Sequence, residues 1–112
     1  MIISQHAGKI AALNDALRTT LDPNAGQVML TQGVTSLGNA FVLAALAEVK
    51  AFNVFIKDND PHGEHDFGSF EIEGHKLFFK IDYYDKDMRY GSEDPSDPST
   101  ARVLTLMLAE EY

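Results

Sequence analysis

Phe70-Glu71-Ile72-Glu73-Gly74-His75-Lys76-Leu77-Phe78-Phe79-Lys80-Ile81-Asp82-Tyr83 is the stretch whose reading decides the fold. Apolar residues alternate with polar ones on both sides of Gly74, at Phe70 and Ile72 and then at Leu77, Phe79, Ile81 and Tyr83. Period-two alternation is the mark of a half-buried strand. The parity of the apolar set changes from even to odd across the glycine. An antiparallel pair keeps both sets on one face only if facing residue numbers sum to an odd value, because a one-residue slip turns every side chain over. A two-residue loop at Gly74-His75 meets that condition, with glycine at the first central position of a type II′ turn. It pairs Glu73 with Lys76 and Ile72 with Leu77. A β-hairpin is therefore expected over 68–73 and 76–83, its apolar face turned to one core. Phe78 falls on the opposite face, which is then partly covered too.

Working outward from the hairpin, residues 4–21 read as an amphipathic helix. Ile10, Leu13 and Leu17 recur at spacings of three and four with Ala16 beside them, and Lys9 and Arg18 fall on the other side. Asp22-Pro23-Asn24 ends it, since proline disfavours a helical residue before it. Residues 27–31 form a short buried strand. A second helix over 36–52 carries Leu37, Phe41, Ala44, Ala45, Val49 and Phe52 along one stripe. Residues 31–38, with Gly33 and Gly38, lead from that strand into the helix, a geometry that can bind an anion but here lacks the lysine of a phosphate loop. Beyond the hairpin, residues 88–90 suggest a third short strand. Asp97-Pro98 is a good helix start, and Val103, Leu104, Met107 and Leu108 supply the apolar face of a last helix over 98–110. The expected class is α+β: three helices (4–21, 36–52, 98–110) on a small, mainly antiparallel sheet in a single domain, residues 1–112.

Composition narrows the chemistry. The chain has 112 residues, 45% of them hydrophobic, and no cysteine, so disulfides, thiolate metal sites and cysteine nucleophiles are excluded. No signal peptide or apolar span is evident, and a cytoplasmic setting is expected. The net charge of −8 is uneven. Residues 1–50 hold three acids and three bases, whereas residues 51–112 hold fourteen acids and six bases. An acidic half repels phosphate, so neither direct nucleic-acid binding nor an anionic membrane contact is expected, and a basic protein partner is. Reversing Asp15, in the neutral half, is expected to do little to the affinity for such a partner.

Between the two apolar regions lies Asp58-Asn59-Asp60-Pro61-His62-Gly63-Glu64-His65-Asp66-Phe67-Gly68, with four aspartates and glutamates among its first seven residues after Asn59 and Pro61 are set aside. Two readings compete. His62 and His65 with Asp60 and Glu64 are candidate ligands for a divalent metal, imidazole and carboxylate suiting zinc, manganese or iron(II). An EF-hand is excluded, because Ser69 stands where the bidentate glutamate is required. Alternatively His62 or His65, oriented by a carboxylate such as Asp66, with Tyr83 nearby, are candidates for acid–base catalysis. A third reading treats the acids as a surface: Asp58, Asp60, Glu64, Glu71, Glu73, Asp82, Asp85, Asp87, Glu93 and Asp94 would meet a basic groove. Strand rise alone puts Glu71 and Glu73 roughly 6.6 Å apart on one face. That is close to the phosphate repeat of a nucleic-acid strand, about 7 Å over two base steps.

Four strings carry a family resemblance: Asn59 through Gly68, Lys80-Ile81-Asp82-Tyr83-Tyr84-Asp85, Tyr90-Gly91-Ser92-Glu93-Asp94-Pro95, and Arg102-Val103-Leu104-Thr105 with Met107 through Tyr112. In these the chain, over roughly residues 4–112, resembles a family of small bacterial proteins, the domain of unknown function 3768. The resemblance implies a bacterial protein often carried on mobile elements, and no catalytic residues. Together with the charge it favours a non-enzymatic inhibitor or protein-binding module with a DNA-mimic-like surface, of the anti-restriction or anti-CRISPR kind. The alternative is a small metal-dependent or acid–base enzyme centred on His62 and His65.

Overall fold

The computed structural model describes residues 5–112, so the expected helix start at Ser4 lies outside the described residues. The elements run α1 (Gln5–Thr20), β1 (Gln27–Leu30), α2 (Gln32–Thr35), α3 (Asn39–Ala51), β2 (Phe67–Ile72), β3 (His75–Tyr84) and β4 (Ala101–Leu108), closing with a 3-10 turn at Ala109–Glu111. The class is α+β. The strands form one mixed sheet in the order β1-β4-β3-β2, with β1 parallel to β4 and the other two pairs antiparallel.

The hairpin forms, but with its register moved. Phe70 faces Leu77, Glu71 faces Lys76 and Ile72 faces His75, so the sums are odd as required but two less than expected. The loop is Glu73-Gly74, not Gly74-His75. Both loop residues have positive φ, 51° and 81°, which makes a type I′ turn. Its twist matches that of the flanking strands, and only Gly74 is free of the strain of that backbone region. Because the parity survives, Leu77, Phe79 and Ile81 are buried, and Phe70 and Ile72 pack against them.

The last helix is not formed: residues 101–108 are the strand β4, at the centre of the sheet. Leu104, Leu106 and Leu108 point to the helical layer with period two, while Val103 and Met107 are buried on the other face. A strand covered on both sides reads as a continuous apolar run, and such a run fits a helical stripe equally well. The Asp97-Pro98 cap is replaced by a turn, in which the Asp97 carboxylate accepts the Ser99 N–H at 2.9 Å and its carbonyl the Thr100 N–H at 3.0 Å. Nor do residues 88–90 make a third strand. Asp85 closes a tight turn there, taking N–H donors from Met88 and Arg89, and Tyr84 bridges to Gly91.

The helices lie on one face of the sheet. The core joins Leu17 of α1, Val34 of α2, and Phe41, Ala45 and Val49 of α3 to Leu77, Phe79, Ile81, Leu104, Leu106 and Leu108. The second helix is shorter than expected, since Gly38, at φ 96°, separates α2 from α3. Leu37 and Ala44, expected inside, are exposed. Arg18, expected outside, is 4% exposed: its guanidinium donates to the carbonyls of Val49 (2.9 Å) and Phe52 (2.6 Å) at the C-terminal end of α3. A cation there meets the orphan carbonyls and the negative end of the helix dipole.

Candidate functional site

The charged loop is built by its own acids and amides. Asn59 accepts the Ile56 N–H (2.8 Å) and donates to the Val54 carbonyl (2.7 Å). Asp60, 7% exposed, accepts N–H bonds from Glu64 (3.0 Å) and His65 (3.2 Å). These bonds hold Gly63 and His65 in the left-handed region, at φ 68° and 57°. Much of the density of ionisable groups is therefore structural: carboxylates replace the backbone partners that an irregular segment lacks.

His65 is the most constrained member. Its ring stacks on Phe55 with centroids 4.0 Å apart and planes 6° from parallel. Nδ1 lies 3.1 and 3.0 Å from the two carboxylate oxygens of Asp15 on α1, and Asp15 in turn accepts from Arg18 at 2.8 Å. An ionised carboxylate only accepts, so Nδ1 carries the proton. Nε2 has Asp60 Oδ2 at 3.9 Å, beyond hydrogen-bond reach, and the ring borders a cleft of about 540 Å³ with Phe55, Ile56, Lys57, Asp60, Pro61 and Gly63.

A second network lies beside it. Asn14, fully buried on α1, donates to the Glu64 carbonyl (2.9 Å) and the Tyr83 hydroxyl (2.8 Å) and accepts from Arg102 Nε (3.0 Å). Tyr83 donates to the Glu64 carboxylate at 3.0 Å. Burial pushes the Tyr83 phenol well above its usual range, with the carboxylates of Asp66 and Glu64 adding to the shift and Asn14 opposing it. Burial also raises the Asp66 carboxyl, and the charge of Glu64 raises it further.

Of the sequence candidates, His65, Asp60, Glu64 and Tyr83 thus sit together, while His62 and Asp58 stay exposed. The sequence reading missed Asn14, Asp15, Arg18 and Arg102. Asp15 ties α1 to the loop through His65. Among the described residues, no three His, Asp or Glu side chains come together as they would to hold a metal. The donors are committed elsewhere: Asp60 to amides, His65 Nδ1 to Asp15, Glu64 to Tyr83. The anion-binding geometry of residues 31–38 is also filled from within, since the Glu111 carboxylate accepts from the Thr31 hydroxyl (2.6 Å) and the Gly33 N–H (3.0 Å).

The surface acids divide as well. Glu73 is in the turn and Glu71 faces Lys76 on the strand, so the pair makes no evenly spaced ladder on one face. Asp82 is bonded to Lys80 at 2.5 Å. The 85–100 connection between β3 and β4 differs: Asp85, Glu93, Asp94 and Asp97 line one open cleft of about 470 Å³ with Lys86, Tyr90 and Ser92. Asp87, Glu93, Asp94 and Asp97 are exposed.

A helical layer on one side of a mixed four-stranded sheet, with an acidic β3–β4 connection and a histidine held by an aspartate, defines a small α+β protein. No helix among the described residues is long and apolar enough to cross a membrane. Residues 30–111 match the family described as protein of unknown function (DUF3768), and the chain belongs to that family. The match leaves α1 outside, although α1 supplies Asn14, Asp15 and Arg18. No curated protein and no solved structure shows a significant match.

Proposed function

We propose that this protein is a non-enzymatic binding or inhibitor module that meets a basic protein through its acidic β3–β4 connection. The observation that carries the reading is that cleft. Residues 85–100 hold five acids against two bases, and most of these acids face solvent. Such a surface suits a groove that ordinarily takes nucleic-acid phosphate, as in a bacterial defence nuclease opposed by a mobile element. Complementary charge of this kind speeds encounter and selects partners. Screening acts over a Debye length of about 8 Å at physiological ionic strength, so binding should weaken steeply with salt. The test is capture of partners from a bacterial lysate at low and high salt, repeated with Asp85, Asp87 and Glu93 reversed to lysine. Loss of a specific, salt-sensitive partner in the folded variant supports the reading. A complex indifferent to salt and to the reversals refutes it.

A second reading rests on Asp15 and His65. An imidazole oriented by a carboxylate, with its other nitrogen open to a cleft, is the arrangement a general base requires. A fragment screen followed by NMR on the His65 ring tests it. If no fragment shifts the His65 resonances, or if those that do leave Phe55 and Lys57 unmoved, this reading is wrong.

A further inference from the structure

We propose that two copies of this chain pair antiparallel through β2, joining their sheets into one of eight strands. β2 is an edge strand of six residues, longer than the four of the opposite edge, β1. The Ile81 N–H bonds the Asp66 carbonyl at 2.8 Å, which sets the alternation of the β2–β3 ladder. Gly68, Phe70 and Ile72 therefore turn their backbone groups toward β3, and Phe67, Ser69 and Glu71 turn theirs outward. Among the described residues, none of the latter three makes a backbone hydrogen bond elsewhere. Edges are usually blunted by proline, lysine or a bulge. β2 has none of these, and its register with β3 is unbroken.

The edge is complementary to itself. With Ser69 of one copy facing Ser69 of the other, Phe67 faces Glu71 and Glu71 faces Phe67, and the outward groups form six N–H···O=C bonds. Facing residues of an antiparallel pair share a face, so both helical layers fall on the same side and the arrangement closes as a two-fold dimer. Across the junction each Glu71 sits between its own Lys76 and the other copy's Phe67. The two Glu71 residues are four positions apart along the strands, roughly 13 Å. The central row runs Phe78, Ser69, Ser69, Phe78, with Phe67 packed on Phe78 at 5.1 Å within each copy. The acids at the junction are Asp66, Glu71 and Glu73 of each copy, whereas the acidic β3–β4 connection lies away from it. The acidic connection begins after Tyr84, six residues along β3 from Phe78, or roughly 20 Å, more than twice the Debye length of about 8 Å.

The mass in solution tests the proposal. Sedimentation or light scattering of the full chain should give twice the chain mass. Ser69→Pro removes only an outward N–H, a change edge strands tolerate, and should return a single-chain mass with an unchanged circular dichroism spectrum. Ser69→Lys places two like charges face to face and should do the same, and it decides the matter if the proline variant unfolds. The chain has no cysteine, so Ser69→Cys introduces its single thiol, at a facing Cα separation within disulfide range. Oxidation should cross-link it as a dimer. A single-chain mass at every concentration overturns the proposal. So does a dimer that survives both Ser69→Pro and Ser69→Lys, or one that Ser69→Cys fails to cross-link.

Discussion

Asp15 joins its own helix to two other parts of the molecule: the end of α3, through the buried Arg18, and the charged loop, through His65 fifty positions along the chain. Asp15→Asn keeps the shape and removes the charge that the buried Arg18 guanidinium faces. It should cost about 1–3 kcal/mol, the range for leaving a buried charged donor short of its partner. Glu48→Gln, on the exposed face of α3, should stay within about 0.5 kcal/mol. Equal denaturation midpoints for the two variants would remove Asp15 from the network. Asn14 is a stronger case, because Asn14→Leu strands the Arg102 and Tyr83 groups together. Neither residue was legible as a site. Polar side chains on a helix are read as outward, and no spacing rule links position 15 to position 65. A fainter clue did exist: Ala7, Ile10, Asn14, Leu17 and Arg18 follow helical spacing, so two polar residues stood within the buried stripe. By contrast the loop holding Asp60, Glu64 and His65 was visible as an unusual density of ionisable groups. Its main work, capping its own amides, is what that composition supplies.

Among the elements, the hairpin was legible because alternation and parity admit only one face-consistent pairing up to shifts that keep the sum odd. The two-residue shift was not, since a type I′ turn with Glu73 in the left-handed region competes with a turn led by glycine. β4 was misread for a related reason: its apolar residues satisfy both periods, and only the sheet on each side of it resolves the choice. Gly68 on β2 shows how closely the hairpin meets its helix. A Cβ there would strike the Phe79 ring and come within 2.8 Å of Phe52. Gly68→Ala should therefore cost about 1–3 kcal/mol through overpacking. Phe79→Ala should cost about 3–5 kcal/mol. The double variant should fall short of the sum, because truncating the ring makes room for the methyl. Additive effects in urea denaturation, or an unchanged midpoint for Phe79→Ala, would mean that β2 and β3 pair in another register.

For the whole molecule, the acidic character of the second half was plain in the sequence, but which acids the fold would bury was not. That division governs stability against pH. Glu111 is held below the usual glutamate range by the Thr31 hydroxyl and the Leu108 and Gly33 amides, and Asp94 is held down by the Ser96 hydroxyl and amide. A depressed carboxyl contributes stability above its unfolded pKa and loses it as pH falls through the folded value. Asp66 acts in the opposite sense, because burial and the neighbouring Glu64 charge raise it. The folded state then binds this proton more tightly than the unfolded one. Its contribution is most favourable below the ordinary aspartate value and is lost as pH rises through the raised one. At neutral pH the half-buried charge opposes folding. Asp66→Asn should therefore raise the neutral-pH melting temperature. The gain should vanish below about pH 4, where the native carboxyl is protonated in both states. Melting curves of both proteins across that window test this. A variant less stable at neutral pH, or one whose advantage persists undiminished into acid, would show that Asp66 gains more from its ionised contacts than it loses by burial.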